Sequence, residues 1–172
     1  MFSSMSDVHP ATLPPEKLLA ECDLRHERRS GPGGQHRNKV STAVVLSHRP
    51  TGVRAEASER RSQAENHREA MQRLRVRLAI EVRLANLPTA PSELWQSRTR
   101  GGKLAVNVAH EDFPALLAEA LDAIAAAEFD ATAAAAQLAV STSQLVKFLK
   151  DEPAAFALVN AARRQRGLHA LH

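Results

Sequence analysis

Two adjacent glycines, Gly33 and Gly34, precede Gln35 inside a basic run that holds Arg28, Arg29, Arg37 and Lys39. Without a Cβ, the backbone at such a pair can take positive φ angles and approach a ligand closely. A main-chain N–H brought that near can donate to an oxygen that becomes negative in a tetrahedral transition state. The surrounding cations suit phosphate, through charge-assisted hydrogen bonds. Cys22 stands alone, so neither an internal disulfide nor a cysteine-built metal site can form. His26, His36 and His48 match no standard ligand spacing and read as surface or packing residues, so no metal and no cofactor is expected.

The longer run Arg28-Arg29-Ser30-Gly31-Pro32-Gly33-Gly34-Gln35-His36-Arg37-Asn38-Lys39-Val40 resembles the peptidyl-tRNA hydrolysis motif of class I peptide chain release factors. The resemblance continues through Pro50-Thr51-Gly52-Val53, Glu59-Arg60-Arg61-Ser62-Gln63 and Asn66, and covers about residues 22 to 86. One departure is Arg37, where many family members carry an apolar residue, usually Val; it adds charge and leaves the tripeptide intact.

The resemblance implies that Gly33, Gly34 and Gln35 are catalytic and that water is the nucleophile. The Gln35 main-chain N–H would stabilise the transition state, and its side chain would pack beside the terminal adenosine. Arg28, Arg29, Ser30, His36, Arg37, Asn38 and Lys39 would contact large-subunit ribosomal RNA or the acceptor end of the P-site peptidyl-tRNA. Arg60, Ser62, Gln63 and Asn66 would brace the loop, Ser62 by capping the next helix. Family members are N5-methylated on the equivalent glutamine, so a glutamine methyltransferase is an implied partner for Gln35. A stop-codon reader would need a further inserted domain, for which 172 residues leave no room. The expectation is therefore codon-independent rescue of stalled ribosomes. The rival readings are a non-catalytic ribosomal RNA or tRNA binder and a DNA-binding regulator.

The scaffold for these residues can be read from periodicity. Residues 1–15, rich in Ser and Pro, read as a disordered arm, with a helical turn at Lys17 to Ala20. Strands are expected at Cys22 to Arg29, Val40 to His48 and Val53 to Ala57, with a turn at Arg49-Pro50-Thr51-Gly52. Beyond Ser58, Ala70, Leu74, Leu78 and Val82 fall at helical spacing, with arginines at 68, 73, 75, 77 and 83 around the rest of one long basic helix. That helix is expected to end between Asn86 and Pro91 at a domain boundary. A catalytic domain would then span 16–87 and a basic linker 88–103.

The C-terminal part, 104–172, reads as helical after a short strand from Leu104 to Val108. Helices are expected from Asp112 as N-cap with Pro114 in the first turn, at Ala131 to Leu138, at Thr142 to Leu149, and from Pro153 to about Arg166, stopped by Gly167. Ala134 to Lys150 resembles a helix-turn-helix with Val140-Ser141 at the turn, although Ala139 stands where glycine is usual. Ser141, Thr142, Ser143, Gln144 and Lys147 could then face nucleic acid, with Lys150, Arg163, Arg164 and Arg166 on phosphates. The alternative is a plain bundle docked on its neighbour. Trp95 could stack on a base beside Arg98 and Arg100, or anchor two subdomains.

The fold class expected is α+β: a small, mainly antiparallel sheet with one long helix, followed by an all-α part. A hydrophobic fraction of 44% is enough to bury a core. Net charge is +4, and the first 86 residues carry 15 Lys/Arg against 10 Asp/Glu while the remainder carries 8 against 9. The first half is thus the expected nucleic-acid face. No apolar run reaches membrane-spanning length and the N-terminus lacks the order of a signal peptide, so a soluble cytoplasmic protein is expected.

Overall fold

The computed structural model describes residues 8–27, 43–85 and 90–172. Three strands, β1 (Cys22–Glu27), β2 (Ala43–His48) and β3 (Arg54–Ala57), form an antiparallel sheet in the order β1-β2-β3. The helices are α1 (Pro15–Ala20), α2 (Gln63–Glu81), α3 (Glu93–Arg98), α4 (Phe113–Ala126), α5 (Ala131–Gln137), α6 (Thr142–Lys150) and α7 (Pro153–Gln165). This is the α+β class expected.

The central strand β2 owes its place to composition: Val44 and Leu46 point to one face and are fully buried, and Val45 on the other is 3% exposed. The long helix α2 packs on β2 and β3 with Ala70, Leu74 and Leu78 inward. Edge strand β1 is exposed from Asp23 to Glu27, so its alternation marks no buried face. Turn residue Gly52, at φ 74°, closes the β2–β3 hairpin, and its N–H donates to the His48 carbonyl.

Several expectations need correction. The arm does not extend to residue 15: Pro10–Thr12 is a 3-10 turn whose Ala11 is completely buried against the core. There the His9 ring accepts from the Ala11 N–H at 3.1 Å and meets the Val82 carbonyl at 3.2 Å. Likewise α2 stops at Glu81, before the prolines. Val82 turns extended, and Arg83 Nη2 donates to the last carbonyls, of Ala79 and Ile80, at 2.6 Å each.

From residue 90 on, the segment expected as a basic linker is also ordered. Ser92 caps α3 by accepting from Trp95 N, and β4 (Thr99–Arg100) pairs with β5 (Lys103–Leu104), which is all that forms of the strand expected at Leu104 to Val108. Asp112 occupies the N-cap position of α4 but makes no capping bond, because its carboxylate is held by Arg98 at 2.5 and 2.9 Å. Arg98 is thereby withdrawn from base contact.

One core crosses the boundary expected near residue 87, joining Leu74 and Leu78 to Phe113, Leu117, Leu145 and Phe148. Trp95, 1% exposed, is the anchor rather than a base platform: its ring meets Phe148 edge-on at 6.0 Å. Its indole N–H donates to the Leu138 carbonyl at 2.8 Å.

Candidate functional site

The tripeptide Gly33, Gly34 and Gln35, with Arg28, Arg29, Ser30, His36, Arg37, Asn38 and Lys39, lies outside the described residues. What the structure gives is its footing. Glu27 and Ala43, the residues flanking 28–42, are Cα partners across the β1–β2 ladder, so that segment leaves and re-enters the fold at one end of the sheet. Ala43 is 5% exposed and fixes the return point in packed surroundings.

The expected bracing residues gather at the same end, where β3 gives way to α2. Asn66 is wholly buried, and its side-chain amide bonds the Arg60 backbone twice, accepting from its N–H and donating to its carbonyl at 2.9 Å each. A primary amide matches a peptide group in this way, which fixes the junction without regular pairing. Ser62 Oγ accepts from the Glu65 N–H, a long 3.4 Å cap. Gln63 Nε2 donates to His26 Nδ1 at 2.8 Å, tying the first turn of α2 to the strand that leads into residue 28. Among the described residues Arg60 takes part through its main chain.

The arginines of α2 do not make a free basic face. Arg73 donates to the Glu56 carbonyl and to Glu59, both at 2.9 Å, and Arg77 donates to the Arg54 carbonyl and pairs with Glu81. The Arg73 guanidinium and the Ser58 N–H, both donating to the Glu59 carboxyl, pull it down to about 2. Arg75 is 8% exposed and donates to the carbonyls of Ala11 (3.1 Å) and Glu111 (2.7 Å). Arg83 pairs with buried Asp122 at 3.0 Å. Among the described residues only Arg68 of the five, Arg83 beyond the end of α2 included, is left without such a bond, so most of the positive charge expected along this helix stabilises the fold. The 73/77 spacing, one helical turn beside a strand edge, was the sequence signal for this role.

Of the three histidines considered, the two among the described residues have hydrogen-bond partners. Buried His48 lies between Glu21 (2.9 Å) and Thr51 (2.8 Å), and His26 is held by Gln63. In the C-terminal helices, Arg163 donates to the carbonyls of Phe129 and His169, and Arg166 stacks on the Phe129 ring at 4.4 Å. Both secure a turn in which Glu128 and Phe129 have positive φ, which removes them from the expected phosphate set.

The RF-1 domain family model matches residues 18–107, just over half of the chain. The chain belongs to the RF-1 domain family. It is 39% identical over 98 residues to peptide chain release factor 1 of Caulobacter vibrioides, covering 56% of this chain and 27% of that protein. It is 42% identical over 83 residues to peptide chain release factor 2 of Bordetella pertussis, covering 47% and 22%. With peptide chain release factor 1 of Acidiphilium cryptum the identity is 48% over 67 residues, covering 38% and 19%. The chain thus spans about a quarter or less of the length of these relatives. The family match runs through α3 and the β4–β5 hairpin, so the segment expected as a linker belongs with the RF-1 domain. Among the described residues no helix is long and apolar enough to cross a membrane.

Proposed function

We propose that the chain hydrolyses the ester bond of ribosome-bound peptidyl-tRNA and frees the nascent peptide from stalled ribosomes without reading a stop codon. The observation that carries this is membership of the RF-1 domain family with Gly33-Gly34-Gln35 intact. That tripeptide lies in a segment whose two ends are paired residues at the braced end of the sheet.

In the reaction, water oxygen bonds to the ester carbonyl carbon, the Gln35 main-chain N–H donates to the resulting oxyanion, and the tRNA ribose oxygen leaves with a proton. The Gln35 side chain packs beside the terminal adenosine and admits water while excluding larger nucleophiles. Arg28, Arg29, Arg37 and Lys39 hold RNA phosphates, and a glutamine methyltransferase modifies Gln35. After residue 107 the chain continues as four helices that share the core of the RF-1 domain.

The test is peptide release from ribosomes stalled on mRNA lacking a stop codon. Gln35→Ala and Gly34→Ala should abolish release while ribosome binding persists; wild-type release by either variant sinks the proposal.

A further inference from the structure

The proposed reaction leaves the outer face of α6 without a task. Helices α5 and α6 are joined by Leu138 to Ser141, with Ala139 in the left-handed region at φ 54°, the conformation a helix-turn-helix needs at that point. Ala134, Ala135, Leu138, Leu145 and Phe148 are each no more than 4% exposed and fix the inner side of the pair. Ser143, Lys147 and Lys150 are left outside on one stripe, four and then three residues apart.

This stripe has the charge and shape for a phosphodiester. Residues 131–150 contain two lysines and no acidic residue. Among the described residues neither lysine has a carboxylate within ion-pair distance, and Lys150 lies instead over the Phe156 ring at 5.8 Å. A groove of about 370 Å³ runs along the stripe between Thr142, Ser143, Lys147 and Lys150 on one wall and Leu171 and His172 on the other. The second wall is held by Asn160, whose side chain accepts from the Leu171 N–H at 2.7 Å and donates to its carbonyl at 3.3 Å.

We propose that the α6 face is a second contact to ribosomal RNA, with Lys147 and Lys150 on backbone phosphates and the Thr142 and Ser143 hydroxyls on phosphate or ribose oxygens. This rests on the reading of the chain as a ribosome-bound hydrolase. Two phosphate contacts are too few for a stand-alone duplex binder, which makes on the order of 6 to 10. They are enough when another surface of the same body already holds the partner, because the second contact then forms at high effective concentration. Trp95 supplies the coupling, since it bonds Leu138 and packs on Phe148 of α6 itself. The A-form major groove is closed to an inserted helix, so short hydroxyls and lysines meeting backbone oxygens fit RNA better than base reading.

The experiment uses the full chain carrying Lys147→Glu and Lys150→Glu together, with Lys147→Arg and Lys150→Arg as the charge-preserving control. Binding to purified vacant ribosomes is measured across a salt series, beside circular dichroism melting. The reversal should weaken binding about tenfold or more and shallow the log K against log salt slope by about 1.4 to 1.8, two phosphates at ~0.7 to ~0.9 each. The arginine pair should bind as the wild type does. Unchanged affinity and slope in the reversal variant overturn the proposal, as does tighter binding of the wild type to random-sequence duplex DNA than to ribosomes. Because the readout is binding, it separates from the hydrolysis reading: a chain inactive in release can still show this contact, and an active one can lack it.

Discussion

The indole N–H of Trp95 donates to the carbonyl of Leu138, 2.8 Å away, and so links the RF-1 domain to the turn between α5 and α6. The same ring packs edge-on against Phe148, which in turn meets Phe113 at 5.3 Å. With one core on both sides, the helices after residue 107 should unfold together with the sheet. Trp95→Ala should cost about 3 to 5 kcal/mol in denaturant unfolding followed by circular dichroism. Trp95→Phe should lose less but leave the Leu138 carbonyl unpaired, at about 1 to 3 kcal/mol. Two separate wild-type transitions, one for the sheet and one for the C-terminal helices, would show that the linkage is not cooperative.

Asn66 offers a test at the base of the candidate site. Asn66→Ala removes both part-buried bonds to the Arg60 backbone, a loss of about 1 to 3 kcal/mol. If the junction positions residues 28–42, peptide release should also fall in Gln63→Ala, which unties His26 with little cost in stability because the bond is exposed. Normal release by Gln63→Ala with normal melting would confine this end of the sheet to a structural role.

How far the sequence foretold this architecture depends on where each residue's partners lie. Val44 and Leu46 announced a buried strand through a local run of β-branched and apolar residues, and Ser62 with Asn66 announced a helix start because their partners sit within a few residues. Arg75 could not be read this way: its acceptors are 64 and 36 positions distant, so a basic helix face in the sequence became a set of internal bonds in the fold. The same applies to His9, whose contact with Val82 spans 73 positions and turns an apparent arm into core. Ala139 shows the reverse case, an unfavourable residue kept in a left-handed turn because packing on both sides fixes it.

Burial pushes the His9 imidazole below its ordinary 6.5; Asp122 and the Val82 carbonyl pull it up, and Arg83 pushes it further down. Between the folded value and 6.5 the unfolded chain binds a proton that the folded chain does not. Stability is therefore complete above about pH 6.5 and declines as pH falls toward the folded value. The melting temperature should drop from about pH 7 to about pH 5, and the slope should be shallower in His9→Asn, whose side-chain oxygen can still accept from Ala11. Identical slopes would place the acid sensitivity elsewhere.

Burial likewise raises the Cys22 thiol to about 11, and its Sγ donates to the Leu18 carbonyl at 3.1 Å. Little thiolate exists at neutral pH, and the sulfur is covered. A disulfide reagent should therefore modify Cys22 at the rate of unfolding, and fast modification of the native chain would contradict this placement.

The last prediction concerns the edge of β3 that faces away from β2, where no further strand pairs among the described residues. Arg73 and Arg77, one turn apart on α2, donate to the outward carbonyls of Glu56 and Arg54, alternate residues on that edge. An unpaired strand edge is a template for a second chain, and covering its acceptors with charged side chains blocks that pairing. Both guanidinium groups are partly exposed, so Arg73→Ala with Arg77→Ala should cost less than about 2 kcal/mol. The larger effect should be concentration-dependent self-association, seen by light scattering or sedimentation at concentrations where the wild type stays dispersed. Replacing the arginines by lysines should protect only in part, since an ammonium lacks the second nitrogen through which Arg73 holds Glu69 while its Nη1 donates to the Glu56 carbonyl and the Glu59 carboxylate. A double alanine variant that remains monomeric at high concentration would mean that some other feature guards the edge.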